Sequence, residues 1–134
     1  MGGQVGFQVC RRIVKHKLLN ERQAVLVLAF FIYICSMNVK ITAVRQTVYE
    51  DLMARYENPI LHTCDLRVGQ TWISRGGECP EGFCPSAWDS LRPFVQSLAR
   101  GEGNFYDGWM KNPMSAMISC NDGFRPMSFY IECV

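Results

Sequence analysis

The chain beyond residue 36 lacks the charge pattern of a nucleic-acid-binding protein. Residues 1–36 carry five basic side chains and one acidic side chain, a net charge of +4, so the total of +2 leaves −2 for residues 37–134. Lys and Arg are nowhere interleaved with aromatic residues there, although proteins that bind nucleic acid need such basic stripes to displace counterions from phosphate. We therefore do not expect nucleic acid as a partner.

The chain also lacks an apolar run long enough to span a bilayer. The longest run, Ala24–Cys35, has 12 residues, whereas a spanning helix needs about 20. Basic residues precede it, as in a secretory signal peptide. Residues 1–36 are thus a signal peptide, a membrane anchor (through residues 18–36), or a start assigned too early, with Met37 as the true initiator. We favour the last, and expect a membrane partner or export only if residues 1–36 are translated.

Residues 37–134 contain no Cys-x-x-Cys pair, and the number of cysteines among them is odd. The five thiols are those of Cys64, Cys79, Cys84, Cys120 and Cys133. A disulfide framework would use an even number of cysteines in a small secreted domain. We therefore expect reduced thiols in a cytoplasmic protein and a single domain covering residues 37–134.

The first half of this domain shows a strand, a helix and a second strand. Residues Asn38–Val48 alternate between apolar and polar side chains, which predicts a half-buried strand. Thr47 and Glu50 have the spacing of a capping box and predict a helix from about Val48 to Glu57. A β-branched and aromatic segment, Gln70–Ser74, predicts a short strand.

The clearest helix of the chain begins at Pro85, a residue suited to the first helical position. Its apolar stripe consists of Ala87, Trp88, Leu91, Phe94, Val95 and Leu98. Gly101 is placed to end the helix as a C′ residue. Because Pro93 has no amide proton to donate, a kink or a division into two helices is predicted there.

Two apolar runs at the end of the chain predict a β-hairpin. They are Ser115–Cys120 and Arg125–Cys133, and Asn121–Gly123 between them contains an Asp-Gly turn signal. The predicted order is therefore β-α-β-α-β-β. One small sheet carrying two helices would bury all the apolar stripes, so we predict an α+β fold.

Two segments, Pro80–Trp88 and Cys120–Phe129, resemble the signature stretches of a family of small uncharacterised prokaryotic proteins. The family patterns look like P-E-G-F-C-P-W-A-W and C-x-D-G-x-R-P-V-x-F. The resemblance covers nearly all of residues 37–134, including a cysteine like Cys64 and a Gly-aromatic stretch like Gly103–Phe105. It implies a domain that starts near Met37, and it implies no particular reaction.

The chain departs from the family patterns at two positions. Ser86 stands where the family usually has tryptophan, and Met127 stands where it usually has valine. Any role that requires an aromatic ring at the first position is therefore not expected of this chain.

Cys84 is the candidate nucleophile. It precedes Pro85 at the predicted start of the main helix, where unpaired amides and the helix dipole lower the pKa of a thiol. His62 is the only histidine after residue 36, so it is the only imidazole that could serve as its general base. The alternative is that Cys84 is simply a buried, unreactive thiol.

Three cysteines are candidate metal ligands. Cys64, Cys84 and Cys120 all have counterparts in the family patterns, whereas Cys79 has none. Thiolates are soft ligands suited to zinc or iron. The spacing is unspecific, however, and the alternative is that the three thiols only pack in the core.

Arg125, Asp122 and Trp109 are candidate ligand-binding residues. Arg125 follows the predicted turn and has the fork geometry that grips a carboxylate or phosphate. A salt bridge to Asp122 or Asp89 is the favoured alternative for its guanidinium. Trp109 lies in a Gly-rich loop, where an aromatic ring is available to line an apolar pocket.

Taken together, these patterns predict a small domain that binds a small molecule or a metal ion at a cysteine-containing site. The alternatives are a cysteine-dependent enzyme acting on a small molecule, and an interaction module without pocket chemistry. Whether the protein is an enzyme is left open by the sequence.

Overall fold

A computed structural model of the protein describes residues 20–34 and 36–134. One compact unit comprises Ser36–Val134. A separate helix, α1 (Glu21–Ile34), precedes it. No helix in the described ranges combines the length and the apolar character needed to cross a membrane.

Ser36–Val134 contains the predicted elements in the predicted order. They are β1 (Val39–Gln46), α2 (Glu50–Tyr56), β2 (Thr71–Ser74), α3 (Pro85–Ala99), β3 (Ser115–Ser119) and β4 (Met127–Cys133). The prediction of an α+β fold with a C-terminal hairpin is therefore confirmed.

The four strands form one antiparallel sheet in the order β2-β1-β4-β3. Ile41 of β1 lies opposite Trp72 on one side and Ile131 on the other, and Ile131 lies opposite Ala116 of β3. Because side chains alternate along a strand, this register places these apolar residues on one face.

Helix α3 covers that face of the sheet. The helix contributes Leu91, Val95 and Leu98 to the core, and all three side chains are fully buried. The sheet contributes Phe129 and Ile131 among others. The spacing of the helical residues matches one face of an α-helix, so the stripe read from the sequence is the packed face.

Pro93 does not divide α3. The helix is continuous from Pro85 to Ala99, and Pro93 lies on its exposed side. The predicted end is confirmed: Gly101 has φ +77°, and its N–H donates to Leu98 O (2.9 Å) while Glu102 N–H donates to Ser97 O (2.9 Å). These two bonds form a Schellman motif. Burial of the apolar stripe outweighs the hydrogen bond lost at Pro93.

The predicted cap of α2 is wrong. The helix begins at Glu50 with Tyr49 at the N-cap, and no side chain caps it. The N–H groups of Thr47 and Tyr49 instead donate to Pro126 O (3.0 Å) and Phe124 O (2.9 Å). These long-range bonds hold the chain along the β3–β4 connection, so Thr47 is not available to start the helix.

The hairpin is present, but its connection is longer than a tight Asp-Gly turn. Residues 120–126 join the two strands, and Gly123 does not adopt a positive φ. Asp122 organises the loop, because its Oδ1 accepts the N–H groups of Phe124 (2.8 Å) and Arg125 (3.0 Å). The loop is thus held by hydrogen bonds to the Asp122 side chain, and not by the positive φ at Gly123 that the Asp-Gly pair predicted.

We predict that Met37–Val134 folds without the preceding residues. Every strand of the described sheet and its covering helix lie in this range, and the Met37 N–H bond to Ala99 O (2.8 Å) is retained. The thermal unfolding midpoint of the shortened chain should therefore match that of the full chain. Loss of a cooperative transition in the shortened chain alone would contradict the prediction.

Candidate functional site

Cys84 is the N-cap residue of α3. Its backbone is extended (φ −63°, ψ 122°), and its side chain makes no conventional capping bond. The adjoining Pro85 starts the helix because its fixed φ suits the first helical position. This geometry leaves the Cys84 Sγ beside the first turn, 3.3 Å from Ser86 Oγ.

The pKa of Cys84 is lowered. Burial is the largest single influence and opposes ionisation, but four hydrogen-bonding interactions together outweigh it. Their donors are the Ser86 hydroxyl, the Ala87 and Ser86 amides, and the Cys64 thiol. Hydrogen bonds to the charged form of a group favour that form. Cys84 is therefore prone to ionise as a thiolate.

Cys64 is exposed and lies in the segment between α2 and β2. Burial raises the pKa of the Cys64 thiol; the Leu66 amide opposes this shift, and smaller effects of Cys84 and Cys120 add to it. The two shifts have opposite signs because burial dominates at Cys64, whereas at Cys84 the hydrogen bonds, those of the Ser86 hydroxyl foremost, outweigh burial. In this pair Cys84 gives up its proton first, and Cys64 keeps its own.

Cys120 completes the group, which we call the thiol cluster (Cys64, Cys84 and Cys120). It follows β3, and its Sγ accepts the Met127 N–H at 3.2 Å. An electrostatic effect of Cys120 is the smallest of the influences that raise the pKa of Cys64. In the described part of the chain, no three His, Cys, Asp or Glu side chains are arranged to hold a metal ion. The metal site therefore stays a prediction.

Phe83 fixes the position of Cys84. Its ring is only 6% exposed and makes edge-to-face contacts with Trp72, Trp88 and Phe129, with centroids 4.9, 6.2 and 5.6 Å away. Such aromatic contacts add directional stabilisation to simple burial. The residue before the candidate nucleophile is thus anchored in the core, while Cys84 itself is half-buried.

His62 is exposed. Within the described ranges it makes no hydrogen bond to Cys84, and the side chain within hydrogen-bond distance of that sulfur is Ser86. The pairing of Cys84 with His62 therefore stays a prediction. Ser86 was missed as a site residue; the sequence signal available for it was its position two residues after Cys84, in the first turn of the helix.

Two cysteines outside the thiol cluster serve as internal comparisons. Cys79 is exposed, and both burial of its thiol and the charge of Glu78 raise its pKa. Cys133 donates from its Sγ to Leu98 O at 3.4 Å, and burial raises its pKa. Neither thiol has the amide and hydroxyl donors that surround Cys84.

Arg125 forms an ion pair with Glu57, a partner that the sequence did not indicate. Arg125 Nη1 donates to Glu57 Oε2 at 2.9 Å, and Arg125 Nη2 donates to Glu57 Oε1. The Arg125 Nε is 3.9 Å from Asp122 Oδ2, and this buried nitrogen has no hydrogen-bond partner. Both side chains of the pair are largely buried, with 12% and 14% exposed.

Both terminal nitrogens of Arg125 are therefore occupied by Glu57. Asp122, in turn, uses its Oδ1 to hold the β3–β4 connection. The favoured alternative, a salt bridge, is what the structure contains, although its principal partner is Glu57, with Asp122 in second place and Asp89 not involved. A role for Arg125 and Asp122 in ligand binding stays a prediction.

The Arg125–Glu57 pair predicts a loss of stability in acid. Hydrogen bonds from Arg125 lower the pKa of Glu57, against a smaller opposing effect of burial. A carboxylate whose pKa is lower in the folded state stabilises the protein above the unfolded-state pKa of about 4.3, and this contribution disappears as the pH falls through the folded-state value. Urea unfolding should show a steeper loss of stability below that pH in the wild type than in Glu57→Gln. Equal slopes would contradict this.

Trp109 is 44% exposed and packs edge-to-face on Tyr106, with the centroids 5.3 Å apart. Its role as a ligand-binding residue stays a prediction. A shallow groove lies on α1 and is lined by Glu21, Arg22, Val25 and Leu26. None of these four residues is a candidate from the sequence.

Comparison with known proteins identifies no relative of this chain. No family model matches the chain, and no curated protein or solved structure is significantly similar to it.

Proposed function

We propose that this domain binds a small electrophilic molecule through the sulfur of Cys84. The observation that supports it is the direction of the pKa shifts: the pKa of Cys84 is lowered, whereas those of Cys64, Cys79 and Cys133 are raised. The thiolate is the nucleophilic form of cysteine. Cys84 is thus the thiol best prepared to react.

The surroundings of Cys84 suit reversible contact with a ligand. The sulfur is half-buried at the start of α3, so one side is held by the protein and the other is accessible. The Ser86 hydroxyl, 3.3 Å from the sulfur, and the amides of the first turn stabilise the thiolate, which is the form that reacts with the ligand. A cysteine-dependent enzyme would use the same groups, with the ligand as its substrate.

A soft metal ion is the second candidate ligand. The Cys120 sulfur accepts a backbone N–H at 3.2 Å, and backbone amides also lower the pKa values of the other two thiols; such interactions tune metal-bound thiolates. The donors are Leu66, Ser86, Ala87 and Met127. Cys64, Cys84 and Cys120 are the residues that would hold zinc or iron.

Metal analysis of protein purified without an affinity tag distinguishes the two candidates. Stoichiometric zinc or iron that is lost in Cys120→Ser would support the metal. Metal-free protein in which Cys84 still reacts would support the electrophilic ligand, because that proposal requires neither a metal ion nor Cys120.

We predict that Cys84 is alkylated at lower pH than Cys79. Iodoacetamide labelling across a pH series, resolved by peptide mass spectrometry, should give a lower midpoint for Cys84, because only its pKa is lowered. Cys84→Ser should remove the rapid component. Labelling of Cys84 only on unfolding would refute the proposal and favour an interaction module without pocket chemistry.

The hydroxyl of Ser86 offers a matched control. Ser86→Ala removes a donor to the Cys84 sulfur, so the labelling midpoint of Cys84 should rise. Ser90→Ala deletes the same group one turn later in α3, where no hydrogen bond to Cys84 exists in the described structure, and the midpoint should stay unchanged. Equal effects of both substitutions would indicate a general change in the helix.

A further inference from the structure

Helix α2 presents its apolar side chains to solvent. A surface helix normally turns its apolar stripe toward the core and its charged residues toward water, but α2 buries none of its residues. Tyr49 at its N-cap, Leu52 and Tyr56 are 41%, 36% and 64% exposed. Their spacing of i, i+3 and i+7 places them on one side of the helix. We call these three residues the outer stripe.

Polar contacts hold the other side of α2 against the body of the domain. Glu57, which ends the helix, forms the ion pair with Arg125, and Arg125 Nη1 also donates to Met53 Sδ at 3.3 Å. At the start of the helix, the Tyr49 N–H donates to Phe124 O at 2.9 Å. These contacts fix the rotation of α2 about its axis. The outer stripe therefore cannot turn toward the core unless a largely buried ion pair breaks.

Two opposite charges flank the outer stripe on the same side. Asp51 and Arg55 are four residues apart, which is one helical turn, and both are exposed. The Arg55 guanidinium lies 5.1 Å from the centroid of the Tyr56 ring, so its charge lies against the outer stripe. Within the described residues, neither side chain takes part in an ion pair.

We propose that the outer stripe is a dimer interface, covered by α2 of a second copy of this chain in antiparallel orientation. The two-fold axis passes near Leu52, so each copy uses the same surface. Tyr56 then packs against Tyr49 of the partner subunit, and Leu52 packs against Leu52 of the partner subunit. This inference is independent of the chemistry of Cys84.

The flanking charges favour a second copy as the occupant. When two identical helices pack antiparallel about a two-fold axis, the same flank of each helix meets its counterpart in the reverse direction. Asp51 therefore faces Arg55 of the partner subunit, and Arg55 faces Asp51 of the partner subunit. Such complementarity mainly fixes the orientation of the two copies, because exposed ion pairs add little affinity.

The size of the outer stripe predicts a weak dimer. Tyrosine is enriched at protein interfaces because its ring supplies apolar area while its hydroxyl stays hydrated. Three side chains from each copy nevertheless bury less area than a permanent dimer does. The copies should therefore associate at high protein concentration and separate on dilution.

Sedimentation of the full chain across a concentration series tests the interface. The weight-average mass of the wild type should rise toward twice that of one chain. Tyr56→Asp places a charge in the outer stripe and should remain a monomer at every concentration. Tyr106→Asp is the matched control, because it changes an exposed tyrosine of the 101–111 loop, and it should associate as the wild type does.

Charge reversal tests the antiparallel orientation. Asp51→Lys leaves two basic residues on the flank, and Arg55→Glu leaves two acidic residues there. Each variant alone should lose self-association, because like charges would then face each other. An equimolar mixture of the two variants should form a heterodimer, because every facing pair is again attractive.

Three results would overturn the proposal. One is a wild type that stays monomeric at every concentration. Another is self-association that survives Tyr56→Asp, which would assign the contact to a different surface, such as the apolar helix α1. The third is a mixture of the two charge variants that stays monomeric. Thermal unfolding midpoints equal to that of the wild type would show that the variants remain folded, and the mixture decides the outcome even if Tyr56→Asp unfolds.

Discussion

Leu91→Ala should destabilise the domain by about 2–5 kcal/mol, the range for truncating a fully buried leucine. Leu91 lies in the middle of α3, is fully buried, and belongs to the stripe that packs against the sheet. The loss combines the burial of the removed methyl groups with the cavity they leave. Because a small domain is stable by only about 5–15 kcal/mol, this single change removes a large share of the total.

Leu61→Ala is the matched control for this substitution. It deletes the same atoms from a side chain that is 97% exposed, so the free energy of unfolding should change by less than about 0.5 kcal/mol. Urea titration of both variants gives the comparison, with equal m-values as the sign that the unfolded states are alike. Similar losses in both variants would mean that α3 does not cover the sheet as described.

Gly103→Ala should destabilise the domain by about 1–3 kcal/mol, the usual cost of overpacking. A Cβ atom at this position would lie 2.5 Å from Pro113 O and 2.7 Å from Met114 Sδ. The same Pro113 carbonyl accepts the Asn104 N–H at 2.7 Å, so the backbone cannot withdraw without losing a hydrogen bond. The requirement for glycine here comes from close packing.

Gly123→Ala provides the comparison at a second glycine. No atom lies within 4 Å of a Cβ at Gly123, and its φ is not positive. The substitution should leave stability unchanged or raise it by up to about 1 kcal/mol, because alanine has less freedom in the unfolded chain. If both substitutions destabilise the domain equally in thermal unfolding, the close approach at Gly103 is not the cause.

The candidate site was only partly predictable. The sequence pointed to Cys84 through Pro85 and the helix that follows, since helix starts depend on adjacent residues. It did not indicate Ser86 as the side-chain partner of Cys84, because the hydroxyl has to be seen next to the sulfur. It also gave His62 as a partner, on the sole ground that the body of the chain has no other histidine.

For Arg125, the sequence indicated the kind of interaction but not the main partner. Its sequence position suggested an ion pair with a nearby aspartate, and Asp122 does lie close at 3.9 Å. The principal partner is Glu57, 68 residues earlier in the chain. Periodicity cannot reveal such a pair, because it depends on where α2 lies relative to the β3–β4 connection.

Local sequence patterns are enough to predict the helices and strands of Ser36–Val134. Alternation in β1, the apolar stripe of α3 and the glycine after it are local patterns, set by backbone geometry over a few residues. Only the folded chain shows that the Thr47 N–H pairs with Pro126 O, so that Thr47 does not cap a helix, and that Arg125 pairs with Glu57. These contacts join residues that are distant in the sequence. They therefore form only after the strands have paired and the connecting loops lie close together.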